Sequence, residues 1–147
     1  RYNMSGSYYT DDIMFICSSN AEMDLSSGES IVGVISGSVS KTALDTYLEE
    51  HKELKANLVN VASYPEALIE LSANRVDYYC SERSVLNDLL ADSYKITGPI
   101  VGQLDYGITC RLREKDLFNE VEKAYNELQS DGTLDELYAK YGMTKPN

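Results

Sequence analysis

The sequence predicts an α/β fold in which a mainly parallel sheet lies between helices in a three-layer sandwich. Between residues 30 and 98, short β-branched runs alternate with segments of helical periodicity. This pattern is typical of βαβ units joined by right-handed crossovers. The 147 residues suffice for one ordinary domain with a real core. Hydrophobic residues at 43% and charged residues at 25% are typical of a globular protein, not of a disordered or fibrous one.

A strong excess of acidic residues narrows the range of partners. With 24 acidic and 13 basic side chains, the formal net charge is −11. Such a charge argues against a phosphate-binding surface and therefore against nucleic acid. No apolar run approaches the roughly 18 residues of a membrane-spanning helix, and no secretory signal pattern opens the chain.

Three strand–helix units follow one another in the repeating part of the sequence. The strands are predicted at residues 31–35, 57–61 and 76–80. The first helix has an apolar stripe of Ala43, Leu44, Tyr47 and Leu48, and the third covers residues 84–90. Ser63 is the predicted N-cap of the second helix, with Glu66 at capping-box spacing. In the third strand, alternation predicts that one of Tyr78 and Tyr79 is buried and the other exposed.

The segments that flank this unit have a different character. Residues 8–17 and 105–111 are strand-like and are expected to connect the unit to the rest of the protein, and residues 95–99 close it. A long amphipathic helix is predicted after Arg113, with Gly132 as the C′ residue that ends it. A last helix is predicted at residues 133–141. No sheet is expected beneath the apolar stripes of these two helices.

The cysteines and the single histidine do not predict a metal centre or a catalytic nucleophile. Cys17, Cys80 and Cys110 lack CxxC spacing, and each lies in an apolar run where a small buried hydrophobe is expected. The sequence alone leaves open whether these cysteines are free thiols or form disulfides. His51 lies among charged residues in the last turn of the first helix, where it is expected to complement the helix dipole. No metal ligand, cofactor or catalytic residue is therefore predicted.

The turn Ser36-Gly37-Ser38 joins the first strand to the first helix, at the carboxyl edge of the predicted sheet. Free backbone N–H groups and the helix dipole make such a position suitable for a carboxylate or a phosphate. The alternative is a structural N-cap with a tight turn, which every strand–helix connection needs. The motif has the spacing of neither common nucleotide-binding loop.

Glu82 lies just after the third strand, at the same predicted edge of the sheet. A carboxylate there could pair with a ligand ammonium group. Alternatively, Glu82 is a solvated residue in the first turn of the next helix, complementing its dipole. The neighbouring Arg83 could also neutralise it.

Four segments resemble motifs of one protein family. Residues 4–9 (MSGSYY) are similar to a strand motif FS-x-P-Y-Y, with Met and Ser in place of Phe and Pro. Residues 32–38 resemble the turn VGV-x-x-G-[ST], and residues 64–77 resemble Y-x-E-A-L-x-x-L-x-x-G-R-V-D-A with Asn74 at the usual Gly. Residues 128–142 are similar to L-x-x-D-G-T-L-x-x-I-x-x-K-W-x-G. In this order they resemble the family 3 solute-binding proteins of amino-acid ABC transporters, which have the type 2 periplasmic-binding-protein fold.

The resemblance implies two lobes that close on a ligand. Residues 30–104 are then the second lobe, and residues 1–29 are a connecting strand and linker from the first lobe. Residues 105–147 are the return strand and the C-terminal helices that normally pack on the first lobe. The body of that lobe has no counterpart upstream of Arg1, so a partial protein is expected. The exposed apolar patch that results is expected to be covered by a partner chain or in a homodimer, and it comprises Leu117, Val121, Tyr125 and Leu128.

The resemblance also assigns roles by position. Ser38 and the N–H of Val39, within the turn that begins with Ser36 and Gly37, would contact a ligand carboxylate or polar side chain. Glu82 stands where the family commonly has an Asp that binds the α-ammonium group, and a Glu is one methylene longer. The implied ligand is a polar or charged amino acid or a similar small molecule.

The implied function is non-enzymatic: a substrate-binding component that delivers its ligand to an ABC permease. The implied location is extracellular or periplasmic, with membrane attachment only through a lipid anchor or a partner. Two alternatives stay open. One is an extracellular ligand sensor of a receptor such as a histidine kinase. The other is an enzyme similar to cyclohexadienyl dehydratases, in which a carboxylate at the position of Glu82 acts as acid or base.

Overall fold

The computed structural model describes residues 1–143, 145 and 146, and these residues form five strands and five helices. The strands are β1 (Tyr2–Ser18), β2 (Ile31–Val34), β3 (Asn57–Asn60), β4 (Tyr78–Glu82) and β5 (Tyr94–Arg111). The helices are α1 (Val39–Glu50), α2 (Tyr64–Ser72), α3 (Arg83–Leu89), α4 (Lys115–Ser130) and α5 (Thr133–Tyr141). None of these described helices has the length and apolar character needed to cross a bilayer.

The strands form one sheet in the order β3-β2-β4-β1-β5. β2 pairs in parallel with both β3 and β4, which is the arrangement that the repeating strand–helix units predict. β1 pairs antiparallel with β4, with Ile13 opposite Glu82 and Ile16 opposite Tyr79. The sheet is therefore mixed, and its parallel part consists of β3, β2 and β4.

The chain divides into two compact units. The α/β unit is Asp12–Leu104, and the helical unit combines Arg1–Asp11 with the chain from Asp105 onward. The sequence predicts the boundary after residue 104 but begins the lobe at residue 30, whereas the α/β unit begins at Asp12. The reason is that Ile13 and Phe15 of β1 are fully buried in the core of this unit.

Helices cover both faces of the sheet in the α/β unit. One apolar cluster contains Tyr78 of β4 together with Leu44 of α1. The other contains Tyr79 together with Leu71 of α2 and Leu86 of α3. Because successive side chains of a strand point to opposite faces, α1 lies on one side and α2 and α3 on the other, which makes three layers. Tyr78 and Tyr79 are both buried, so the prediction that one of them is exposed is wrong.

Local capping signals place the start of α2. Ser63 is the N-cap, and its hydroxyl accepts a hydrogen bond from the N–H of Glu66 at 3.4 Å. The Glu66 carboxylate accepts from the N–H of Ala62 at 2.8 Å, one residue before the position that a capping box predicts. After the helix, Asn74 has φ +52°, a left-handed conformation that Asn tolerates better than most residues.

β5 is much longer than the strand predicted at residues 105–111, because it begins at Tyr94. Residues 95–99, which the sequence predicts to close the α/β unit, belong to the first part of this strand. Gly98 has φ +86°, and a Cβ there would lie 2.9 Å from the ring of Phe15, so a residue without a side chain lets the strand run close to β1.

The helical unit has little buried apolar surface among its described residues. α4 buries no residue, and Tyr138 is the one buried residue of α5. The hydroxyl of Tyr138 donates a hydrogen bond to the carbonyl of Tyr8. An apolar groove of about 730 Å³ runs between the two helices and the strand segments of this unit, and its lining includes Val121, Tyr125 and Leu128. Three residues of the predicted exposed patch thus line an open groove among the described residues, and the fourth, Leu117, is 55% exposed.

Candidate functional site

Chain segments from all five strands meet at one edge of the sheet in the α/β unit. β2, β3 and β4 are parallel, so their carboxyl ends lie together. The register pairs Gly33 with Tyr79, and three residues further along each strand stand Ser36 and Glu82. Glu82 in turn lies opposite Ile13 of β1. The predicted site residues 36–39 and Glu82 therefore come from adjacent connections at the same edge.

The turn before α1 is fixed from both sides. The N–H of Ser36 donates to Oδ1 of Asn60, at the end of β3, over 2.8 Å. The N–H of Ser38 donates to the carbonyl of Ile35 at 3.2 Å. Gly37 has φ +76°, a conformation that Gly adopts at little cost. These contacts hold the turn in one conformation, so the backbone N–H groups that follow it have fixed directions.

Ser38 is the N-cap of α1. Its hydroxyl accepts from the N–H of Lys41 at 3.1 Å. The first N–H groups of a helix have no acceptor inside the helix, so this bond leaves the N–H groups of Val39 and Ser40 for an external acceptor. Val39 is 49% exposed. The turn is therefore a structural N-cap, as the alternative interpretation predicts. This cap still leaves N–H donors for an anion at the positive end of the α1 dipole.

Ser40 adds an unusual feature to the first turn of α1. Ser40 is 2% exposed, and within the described part of the chain its hydroxyl has no hydrogen-bond partner. Buried hydroxyl groups normally have a partner in the protein or in ordered water.

Glu82 is the last residue of β4 and the N-cap residue of α3. Its side chain makes no capping hydrogen bond, and Oε2 accepts instead from the hydroxyl of Ser81 at 2.8 Å. Glu82 is neither fully buried nor fully exposed. The carboxylate is therefore at the helix start, as the alternative interpretation expects, but it does not satisfy the helix N–H groups.

A cluster that the sequence does not predict lies beside Glu82. Asp12 of β1 is buried, and its Oδ1 accepts from Nε2 of Gln103 in β5 at 2.9 Å. Its Oδ2 lies 3.9 Å from Nη1 of Arg83. The only sequence signal is an acidic pair inside an otherwise strand-like run, and the partner in β5 is distant in sequence. Among the described residues, Arg83 forms an ion pair with Asp12 and none with Glu82.

Burial distinguishes two of the three cysteines from the third. Cys17 and Cys80 are buried, as predicted, while Cys110 is partly exposed, and all three are free thiols. Burial raises the pKa of the Cys80 thiol well above its ordinary value and also raises the pKa of Cys17. No group of three metal-ligating side chains occurs among residues 1–143, 145 and 146.

The sequence is similar to amino-acid-binding proteins of ABC transporters, although no family model matches it. It is 26% identical over 147 residues to the L-cystine-binding protein TcyJ of Escherichia coli, covering 96% of this chain and 54% of that protein. It is 25% identical over 97 residues to the ABC transporter glutamine-binding protein GlnH of Bacillus subtilis, covering 65% of this chain and 36% of that protein. The chain thus spans about half the length, or less, of the curated relatives it matches.

The fold is similar to that of larger solved structures. The probable amino-acid ABC transporter extracellular-binding protein ytmK of Bacillus subtilis superposes with a TM-score of 0.81 at 16% identity. The match covers 96% of this chain and 64% of that one. The α/β fold class predicted from the sequence is confirmed. In sequence the chain is similar to amino-acid-binding proteins of ABC transporters, and it has the type 2 periplasmic-binding-protein fold.

Proposed function

We propose that this protein binds a polar or charged amino acid, without converting it, for an ABC importer. The observation that carries the proposal is the placement of opposite binding groups at one sheet edge. At the capped start of α1, the N–H of the 49% exposed Val39 has no acceptor inside the helix, and Glu82 presents a carboxylate from the neighbouring parallel strand. An amino acid needs such a pair, because it carries a carboxylate and an ammonium group.

Each half of the ligand has a physical reason to bind where we place it. The ligand carboxylate accepts from the N–H of Val39, with the hydroxyl of Ser38 beside it, at the positive end of the α1 dipole. The ammonium group pairs with Glu82, which caps no helix N–H group and so keeps acceptor capacity. Ser36 and Gly37 set the turn, so they position the donors.

The lobes, the location and the partners are part of the same proposal. Residues 30–104, together with the part of β1 that packs on them, act as a ligand-binding lobe. The segments 1–29 and 105–147 act as connecting strands, linker and docking helices. Ligand contacts would bias a hinge motion, and the closed form would be recognised by an ABC permease. The location is extracellular or periplasmic, with any membrane attachment through a lipid anchor or a partner. One relative is by name an ABC transporter glutamine-binding protein and the other an L-cystine-binding protein, which favours binding for transport over sensing or catalysis.

The test is a thermal-shift screen of the intact gene product against the twenty amino acids and L-cystine, followed by calorimetry. A ligand that binds only the native state raises the apparent stability. We expect Glu82→Gln to weaken the best ligand about tenfold to a hundredfold, since a charge-assisted hydrogen bond contributes about 1.5–3 kcal/mol. Glu53→Gln, at an exposed position of the same unit, is the matched control. Absence of any binding, or equal effects of the two variants, would refute the proposal, as would conversion of the bound ligand seen by NMR.

A further inference from the structure

Beside the proposed contacts for the ligand carboxylate and ammonium group lies a further group that can bind an anion, the guanidinium of Arg83. Arg83 follows Glu82 directly and is the first residue of α3. Its side chain is 50% exposed, whereas the Asp12 side chain beside it is 9% exposed. One end of the pair is therefore anchored in the protein, and the other faces solvent at the sheet edge where we place the ligand.

The buried end of this pair is firmly held. Oδ1 of Asp12 accepts a hydrogen bond from Nε2 of Gln103 at 2.9 Å, and Oδ2 of Asp12 lies 3.9 Å from Nη1 of Arg83. Asp12 precedes Ile13, which lies opposite Glu82 in the register of β1 and β4. Asp12 is thus fixed next to the end of β4 and limits where the guanidinium can lie. It is a positioning residue, because it acts on a ligand only through Arg83.

The guanidinium group keeps binding capacity. It has five N–H donors in a planar fork that matches a carboxylate, and a contact of 3.9 Å to one oxygen is too long to be a good hydrogen bond. Asp12 offsets the positive charge, so Arg83 attracts an anion through directed N–H donors more than through net charge. The expected contribution is therefore that of one charge-assisted contact.

We propose that Arg83 is a specificity-determining residue that binds a second carboxylate of the ligand. The ligand class is then an amino acid or linked pair of amino acids that carries two carboxylates. The first carboxylate binds at the start of α1, the ammonium group at Glu82, and the second carboxylate at Arg83. This inference rests on the proposed function, since it refines the choice among amino-acid ligands.

The test compares matched ligands that differ in one carboxylate. The probes are L-glutamate against L-glutamine, and L-cystine against S-methylthio-L-cysteine, each titrated calorimetrically into the intact gene product. For at least one pair we expect the dicarboxylate to bind about tenfold more tightly, the size of one such contact. Arg83→Met, which keeps the apolar stem, is expected to abolish this preference while changing binding of the monocarboxylate less than threefold. Arg83→Lys is expected to restore part of it.

Arg75→Met is the matched control, because Arg75 is an exposed arginine of the same unit that pairs with Glu70 at 2.7 Å. It should leave the preference intact. If the wild type binds monocarboxylates and dicarboxylates equally, or if Arg83→Met weakens both members of a pair alike, the inference is wrong while the proposed function stands. If no amino acid binds at all, both the inference and the proposed function are wrong.

Discussion

The α/β unit and the helical unit differ in how they use apolar residues. The α/β unit buries its apolar side chains on both faces of the sheet, and Phe15 and Leu44 have no exposed surface. The helical unit leaves Leu117 55% and Leu128 41% exposed, and α4 buries nothing. One unit is stabilised by contacts among its own described residues, whereas the other presents an amphipathic face that those residues do not cover. The two units therefore differ in how far their described residues bury apolar surface.

The largest effect should come from a core substitution in the α/β unit. Phe15→Ala removes a fully buried ring, and we expect a loss of about 3–5 kcal/mol in the free energy of unfolding, from lost burial and from the cavity. Leu117→Ala on the open face of α4 should cost less than about 0.5 kcal/mol apart from helix propensity. Urea unfolding measures both. Similar losses would mean that the two units do not differ as described.

A smaller effect should appear in self-association. If the groove between α4 and α5 is covered by a second copy, sedimentation of the 147-residue chain should show concentration-dependent association. Val121→Lys, which puts a charge into the groove lining, should weaken association at least tenfold, because an unpaired charge is costly in an apolar interface. Lys123→Ala, whose side chain does not line that groove, is the control. If the wild type stays monomeric at high concentration, a second copy does not cover the groove. A different protein chain would then be the remaining candidate to cover it.

The smallest effect concerns alkaline pH and falls mainly on the α/β unit. Burial raises the pKa of Tyr79 from 10.0 to about 12 and also raises the pKa of Cys80. Because these folded-state values exceed the unfolded ones, the unfolded state loses protons first. Stability is therefore fully retained below about pH 8 and falls as the pH rises through the unfolded-state pKa values of 9.0 for Cys80 and 10.0 for Tyr79.

Tyr79→Phe removes one of these titrations. Between pH 9 and 11 it should reduce the loss of unfolding free energy by about 1.4 kcal/mol, which corresponds to one pKa unit. Tyr2→Phe, at a tyrosine that is 69% exposed, is the control. Denaturant titrations at pH 7, 9 and 11 measure the effect. An alkaline loss that is unchanged in Tyr79→Phe would contradict the assignment.

Local signals were sufficient for most of the fold. The bounds of α5 match the prediction because Gly132 has the left-handed conformation expected between two helices, φ +86°. The early start of β5 was missed because Gly98-Pro99 looks like a break in the sequence. In the structure Gly98 packs against Met23 and Phe15, where a Cβ would clash, and these contacts join residues that are far apart in the chain. Likewise, both Tyr78 and Tyr79 are buried because helices cover both faces, which alternation within one strand cannot reveal.

The candidate site was predictable in part for the same reason. Parallel strands end at one edge, so the turn at residues 36–38 and Glu82 could be placed together from strand order alone. Asn60, which fixes Ser36, and Asp12, which holds Arg83, could not. Their roles depend on pairings between strands, and a single polar residue in a strand or loop gives no sign of its partner.

The most direct test of the central claim, that an amino acid binds at the start of α1 and at Glu82, is an NMR titration of the ¹⁵N-labelled intact gene product. The ligand is the amino acid that raises the thermal stability most. We predict that the backbone amide signals of Val39 and Ser40 shift in a saturable manner, and that Glu82→Gln shifts the titration to higher ligand concentration. The amide of Gly132, in the helical unit, is a reference outside the site. Saturation of the ligand without movement of the Val39 and Ser40 signals would contradict the account.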